Sequence, residues 1–369
     1  MRKLFIITAI IAFVFLFQYC SDNASPGTDN KDNPDEAAAL AITPVPLPNP
    51  GIPGFRFPED SNIINAWVDQ NQEDKIAAHG WGIWTALTQK TGQVYNGDSL
   101  RVFETWFTPD DISAAISASK ANRKLQASEQ RPFGRGRLKT PHQFLHQRQM
   151  ELGKAVNTIP SADSSRILGF VKYDPTAADF TIKNKLYESS VLQQMINNGQ
   201  ASIPDFPNTS ITTKPVFQVI NKASLVNGYY PLKVWTGPPD TLIAYPDSLW
   251  PACVYVDPSN KGQGNGSVDM GCKGRTPQTT YNVNDFIHFN LDKQTAKHLK
   301  ENYSLDAQEG DVAILLAMHV TSREIRRWTW QTFWWAPNAD APPAPSTSIA
   351  VNNRPAQLTG EARHYAMAI

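Results

Sequence analysis

The chain has 369 residues, with 34 Lys and Arg balanced by 34 Asp and Glu; 41% of residues are apolar and 18% charged. A net charge of zero gives no overall pull toward nucleic acid or anionic lipid, and this apolar content excludes both a disordered chain and an integral membrane protein as a whole. The length suffices for one large or two ordinary domains, 21 Gly and 28 Pro demand many turns, and ten Trp with 17 Phe and 11 Tyr favour β-structure, an aromatic ligand surface, or both.

Met1-Arg2-Lys3 is a positive n-region, and Leu4 to Phe17 is an uncharged, almost wholly apolar run. A spanning helix needs about 20 apolar residues, so this shorter run reads as a secretory signal. Cys20 follows directly, and its placement resembles a bacterial lipoprotein signal in which the Cys is lipidated; Gln18 and Tyr19 stand where small residues usually precede it. The order of expectation is lipidation at Cys20, then plain secretion or a periplasmic location, then an uncleaved anchor. Residues 21–60 read as a polar, Pro-rich tether, with Pro44, Pro46, Pro48, Pro50 and Pro53 favouring extended polyproline-II; a tail without a spacing role is the alternative. With Cys20 set aside, Cys253 and Cys272 form an even pair that an oxidising compartment would join as one disulfide around a Gly- and Asn-rich loop, the alternative being two buried thiols.

Residues 61–369 read as a single globular domain, helix-rich over 61–200 and strand-rich over 201–369. Ser61 can cap a helix carrying Ile63, Ile64, Trp67, Ile76, Trp81, Ile83, Trp84 and Leu87, with an interruption at His79-Gly80-Trp81-Gly82 that reads as a loop. A strand is predicted over 100–107, and Thr108-Pro109-Asp110-Asp111 starts a helix to about Leu125. Residues 120–148 form the one basic run, read as a solvated loop rather than an acidic-polymer site. On the helix beginning at Thr140, His142 and His146 lack the acid of a zinc motif and read as surface residues. A helix over 186–197 follows, then strands at 215–225, 229–235, 283–291, 311–324 and 327–335, with a helix at 293–303. The fold class is α+β: an antiparallel β-sandwich with a helical N-terminal portion and insertions.

Two segments can carry chemistry. In a strand over 100–107, Val102, Glu104 and Trp106 would share one face, leaving a partly desolvated carboxylate suited to general acid work; a structural carboxylate is the plainer reading. In 313–320, plain alternation places His319 on the face of Ala313, Leu315 and Ala317, as a candidate acid or base. Trp328, Trp330 and Trp334 then fall on one face, giving either a platform for sugar rings or ordinary core. No GxSxG, P-loop, GxGxxG after a strand, CxxC or CxxCH motif occurs, no metal site is expected, and no cofactor is called for.

Taken together, Trp84-Thr85-Ala86-Leu87, Phe103-Glu104-Thr105-Trp106, Asn184-Lys185-Leu186-Tyr187, Lys233-Val234-Trp235 and Ala317-Met318-His319-Val320 with Trp328, Trp330, Thr332 and Phe333 resemble a family of uncharacterised bacterial exported (lipo)proteins, some of them associated with c-type cytochromes. The resemblance implies no activity. It does imply that Glu104, Trp106, His319 and Trp330 form one site. Three functions follow in order. The first is a membrane-tethered envelope lipoprotein that binds carbohydrate or another flat ligand on an aromatic surface, using Trp106, Trp328, Trp330 and Trp334. The second is an envelope hydrolase with Glu104 and His319 as acid and base. The third is a redox-linked accessory protein with His79 and His319 as candidate ligands. The partners expected are the membrane, through the lipid anchor, and a carbohydrate or small molecule, with no nucleic acid.

Overall fold

The computed structural model describes residues 42–120, 167–238, 250–303 and 305–369. The signal region, Cys20, the basic run beyond Lys120, and His142 with His146 lie outside the described residues.

The described chain joins the domain well before residue 61. Ile42 is buried, and Val45, Leu47, Phe55 and Phe57 pack against the main core. The backbone of Val45 accepts from Trp106 Nε1 at 2.7 Å and donates to Thr105 Oγ1 at 3.0 Å. The boundary read at residue 60 is therefore too late: the proline-rich stretch from 42 onward is part of the packed structure, because its alternate apolar residues find core to cover.

Helix α1 (Ser61–Asp69) is capped by Asp60, whose carboxylate accepts from Asn62 N, rather than by Ser61. Helix α2 (Glu73–Thr88) opens on Glu73 and Asp74 and runs unbroken through Gly80 and Gly82. The two glycines serve close packing instead of a loop: a Cβ on Gly82 would lie 2.1 Å from the Phe55 ring, and one on Gly80 would lie 3.0 Å from Met367 Sδ. Hairpin β1 (Lys90–Tyr95) and β2 (Asp98–Arg101) follows. The strand expected to continue to Phe107 ends at Arg101, where Val102–Thr105 turns as a 3-10 helix. Arg101 N donates to Glu104 Oε2 at 2.9 Å and Thr105 Oγ1 to the Val102 carbonyl at 2.8 Å, local bonds that outcompete a sheet ladder. Helix α3 (Pro109–Lys120) starts as the sequence indicates.

The large sheet has the order β13 (Tyr365–Ala368), β12 (Thr329–Trp335), β11 (Val312–Ser322), β5 (Ile211–Ile220), β3 (Ile167–Gly169). Two short strands, β4 (Lys172–Tyr173) and β10 (His288–Asn290), pair with β5 and β11, and every pairing is antiparallel. Between β4 and β5 stand α4 (Pro175–Lys183) and α5 (Ser189–Asn197). A smaller sheet joins β6 (Tyr230–Val234), β7 (Ala252–Asp257) and β8 (Asp269–Met270), with β9 (Thr280–Asn282) pairing β7 in parallel. Helices α6 (Lys293–Tyr303) and α7 (Ser348–Asn352) complete the set. The fold is α+β and sandwich-like: the inner faces of both sheets and α2 contribute to one hydrophobic core. At its centre Trp84 stacks on Phe333 at 4.3 Å and meets Tyr365 at 5.1 Å, its indole N–H donating to the Ala362 carbonyl.

Cys253 on β7 and Cys272 just beyond β8 form a disulfide with Cα atoms 5.1 Å apart. It holds the Gly-rich loop against the second sheet, where a Cβ on Gly262 would lie 2.6 Å from the Thr280 carbonyl oxygen.

Candidate functional site

The register of β11 decides which of its side chains reach water. Leu315 pairs with Phe217, but Ala317 pairs with Val216, so Leu316 is an extra residue at a bulge. Before the bulge Ala313 and Leu315 face the core. After it the inward residues are Met318 and Val320, and Ala317, His319 and Thr321 face outward. His319 thus does not share a face with Ala313 and Leu315 as plain alternation requires, because one inserted residue reverses the parity of everything beyond it.

Residues directly opposite one another in an antiparallel ladder share a face. One outward row therefore runs Thr212, Thr321, Trp330; the next runs Lys214, His319, Thr332, Ala368; the third runs Val216, Ala317, Trp334, Ala366. The third row is covered. Trp334, only 9% exposed, packs with Ala336 and Ala366 beneath Trp235 and Ala339. The first two rows are open at Trp330, which is 64% exposed, and at His319, which is also exposed. His319 Nδ1 shares a hydrogen bond with Thr332 Oγ1 at 2.9 Å, which orients the ring and turns Nε2 away from that partner. Thr212 and Thr321 hydroxyls meet at 2.7 Å beside Trp330. Partial burial lowers the His319 pKa, and the nearby Lys214 lowers it further, so the ring is held neutral near pH 7; burial also lowers the Lys214 pKa.

The remaining residues singled out from the sequence lie elsewhere. Glu104 is 6% exposed, bonded to Arg101 N, and its carbonyl accepts from Lys172 Nζ at 3.0 Å. Lys172 pairs with Thr213, an inward position, so Glu104 lies on the inner side of the sheet and His319 on the outer side. The acid–base pair is not brought together. Trp106 is fully buried with its indole N–H on Val45, and it offers no ligand surface. Trp328 precedes β12 in left-handed backbone (φ 63°) and meets Phe206 edge-on at 5.5 Å, which takes it out of the row of Trp330 and Trp334. His79, on α2, is buried with Nε2 at 2.9 and 3.1 Å from the two oxygens of Glu324. Glu324 also accepts from Glu59 N and Ser322 Oγ, so the pair fastens α2 and the N-terminal segment to the end of β11. His79 and His319 therefore stand on opposite sides of the large sheet and do not converge.

Lys214, Thr212, Thr321 and Thr332 were not anticipated as parts of the open face. Only the pairing register brings them beside His319 and Trp330. Comparison of the chain with family models, with curated proteins and with solved structures finds no match.

Proposed function

We propose that this protein is a binding module of the bacterial cell envelope, exported by its N-terminal signal, held to a membrane by lipid at Cys20, and taking carbohydrate on the outer face of the large sheet. The observation that carries the reading is Trp330: a large indole left 64% exposed on a sheet face, bordered by hydroxyl and imidazole groups. Isolated exposed apolar residues are ordinary, but a rigid aromatic plane beside directed polar groups is the arrangement that grips the apolar face of a sugar while bonding its hydroxyls. Trp334 borders the platform under the Trp235 and Ala339 cover, which limits how far a ligand extends along that edge.

The mature chain should be retained on at least one insoluble polysaccharide from a panel of cellulose, chitin, xylan and peptidoglycan. Trp330→Ala should weaken that retention about tenfold or more, the loss of one buried aromatic contact. Retention by none of the four, or equal retention of the variant, ends the proposal. For the anchor, cell fractionation should place the full chain with membranes and Cys20→Ser in the soluble fraction; a variant that remains with the membranes removes lipidation from the account.

A further inference from the structure

A concave site lies away from the open sheet face, where the disulfide loop meets the turns after β12 and α7. It is a cleft of about 280 Å³ bordered by Asn265, Asp285, Asn338, Asp340, Arg363 and His364, with Arg354 and Tyr281 in its wall. Its groups are fixed by their own bonds. Asn265 Oδ1 accepts from Ser267 Oγ at 2.8 Å, and Asn338 Oδ1 accepts from the backbone of Asp340 and Ala341, both at 3.2 Å. Those bonds set the amide orientation, so each Asn turns its Nδ2 donor to the remaining side. Asp285 Oδ2 accepts from Asn282 N at 2.8 Å, and Tyr281 hydroxyl is saturated, donating to the Ser267 carbonyl and accepting from Gly266 N. Gly264 lies so close over the Tyr281 ring that a Cβ there would stand 2.5 Å from it, which brings the loop down to form the rim.

The charges of the cleft cancel in place. The Arg354 side chain is 3% exposed and bonds Asp340 Oδ1 at 2.7 Å and the Ala339 carbonyl, with its guanidinium 5.2 Å above the Trp81 ring. Arg363 reaches the same Asp340 oxygen at 3.4 Å. Burial, with Arg354 and Arg363 nearby, lowers the His364 pKa against the opposing pull of Asp285 and Asp340, and keeps the ring neutral. Arg354 is engaged by Asp340 and the Ala339 carbonyl, with only its Nε buried and unbonded, and Arg363, 49% exposed, pairs with the same Asp340 oxygen at 3.4 Å, so each cation already has a carboxylate counter-charge and inorganic phosphate is the competing ligand. The residues lining the cleft carry donors (the Asn265 and Asn338 amides), acceptors (the Asp285 and Asp340 carboxylates) and an imidazole able to act as either.

We propose that this cleft holds one neutral, polyhydroxylated ring, a single monosaccharide unit. Vicinal hydroxyls both donate and accept at short spacing without net charge, which is the complement of this lining. The volume lies at the small end of ligand pockets and fits one ring. The inference is separate from the reading of the outer face and survives its failure.

The test is saturation-transfer NMR on the full chain with D-glucose, D-galactose, D-mannose and N-acetyl-D-glucosamine, with L-alanine and inorganic phosphate as comparators. At least one sugar should give a signal that the comparators do not. Asn338→Asp and Asn265→Asp each keep an accepting oxygen and replace the Nδ2 donor by a second acceptor carrying negative charge, and each should weaken the sugar about tenfold. They lie on different turns, so one serves if the other fails to fold, and melting temperature separates loss of binding from loss of structure. The inference is overturned by silence from all four sugars, by preference for alanine or phosphate, or by a signal that Trp330→Ala abolishes and the Asn variants leave intact.

Discussion

His319 sits next to Lys214 across the β11–β5 ladder, and both burial and that neighbouring cation disfavour its protonation. An NMR titration should find its midpoint below the ordinary histidine value of about 6.5, and Lys214→Gln should move it upward. The sign for stability follows. A histidine whose folded pKa is depressed binds fewer protons folded than unfolded, so its contribution is intact above about pH 6.5 and is lost as the pH falls toward the depressed value. A midpoint that ignores Lys214→Gln would show that the two side chains do not sense each other. The titration also bears on ligand binding, because a neutral ring with Nδ1 tied to Thr332 presents Nε2 in one defined role, whereas a protonated ring can only donate.

Helix α2 shows how an element can owe its sequence to its neighbours. Gly→Ala inside a helix ordinarily stabilises by about 0.5–1 kcal/mol. At Gly82 the sign should reverse, because the new methyl would occupy the Phe55 ring and push it off both the helix and His79, on which it stacks at 5.5 Å. Gly82→Ala should destabilise by about 1–3 kcal/mol in denaturant unfolding and should make the segment near Phe55 cleavable in limited proteolysis. A stabilised variant would mean that Phe55 moves aside freely. The same packing explains what was legible in the sequence. Helix α6 and the strands β6, β11 and β12 were readable, because their apolar periodicity and flanking turn residues act locally. The helix through Gly80 and Gly82, the turn at Val102–Thr105 and the bulge at Leu316 were not, since each depends on a partner distant in sequence or on a side chain bonding back to its own backbone. The candidate site shared that fate in part: Trp330 and His319 were expected in one site, but together with Glu104 and Trp106, which are buried inside, and the outer face they share with Lys214, Thr332 and Thr321 follows only from the register. Strand β7 (Ala252–Asp257) went unread because turn-rich sequence surrounds its short apolar run.

At the scale of the molecule, the Cys253–Cys272 bond ties two segments 19 residues apart and so organises one wall of the monosaccharide cleft. Closing a loop of this size restricts the unfolded chain by about 3 kcal/mol. The double Cys253→Ser, Cys272→Ser variant should melt roughly 5–10 °C lower than the disulfide-bonded protein and match it under reducing conditions. An unchanged melting point would mean that the loop is held by Gly262 and Gly264 packing alone. The core described above has a further consequence, for the order of events in folding. Trp84 donates to a carbonyl 278 residues later, Trp81 to one 269 later, and Glu59 N to a carboxylate 265 later. The partners that close the centre, Phe333 and Tyr365, lie on β12 and on β13, the last strand of the sheet. Contacts of such long sequence separation make folding slow, and they leave α2 without its docking surface while the later strands are missing. A chain emerging from its N-terminus therefore remains open until β12 and β13 are available, so this core closes after most of the chain has been made rather than as it is made.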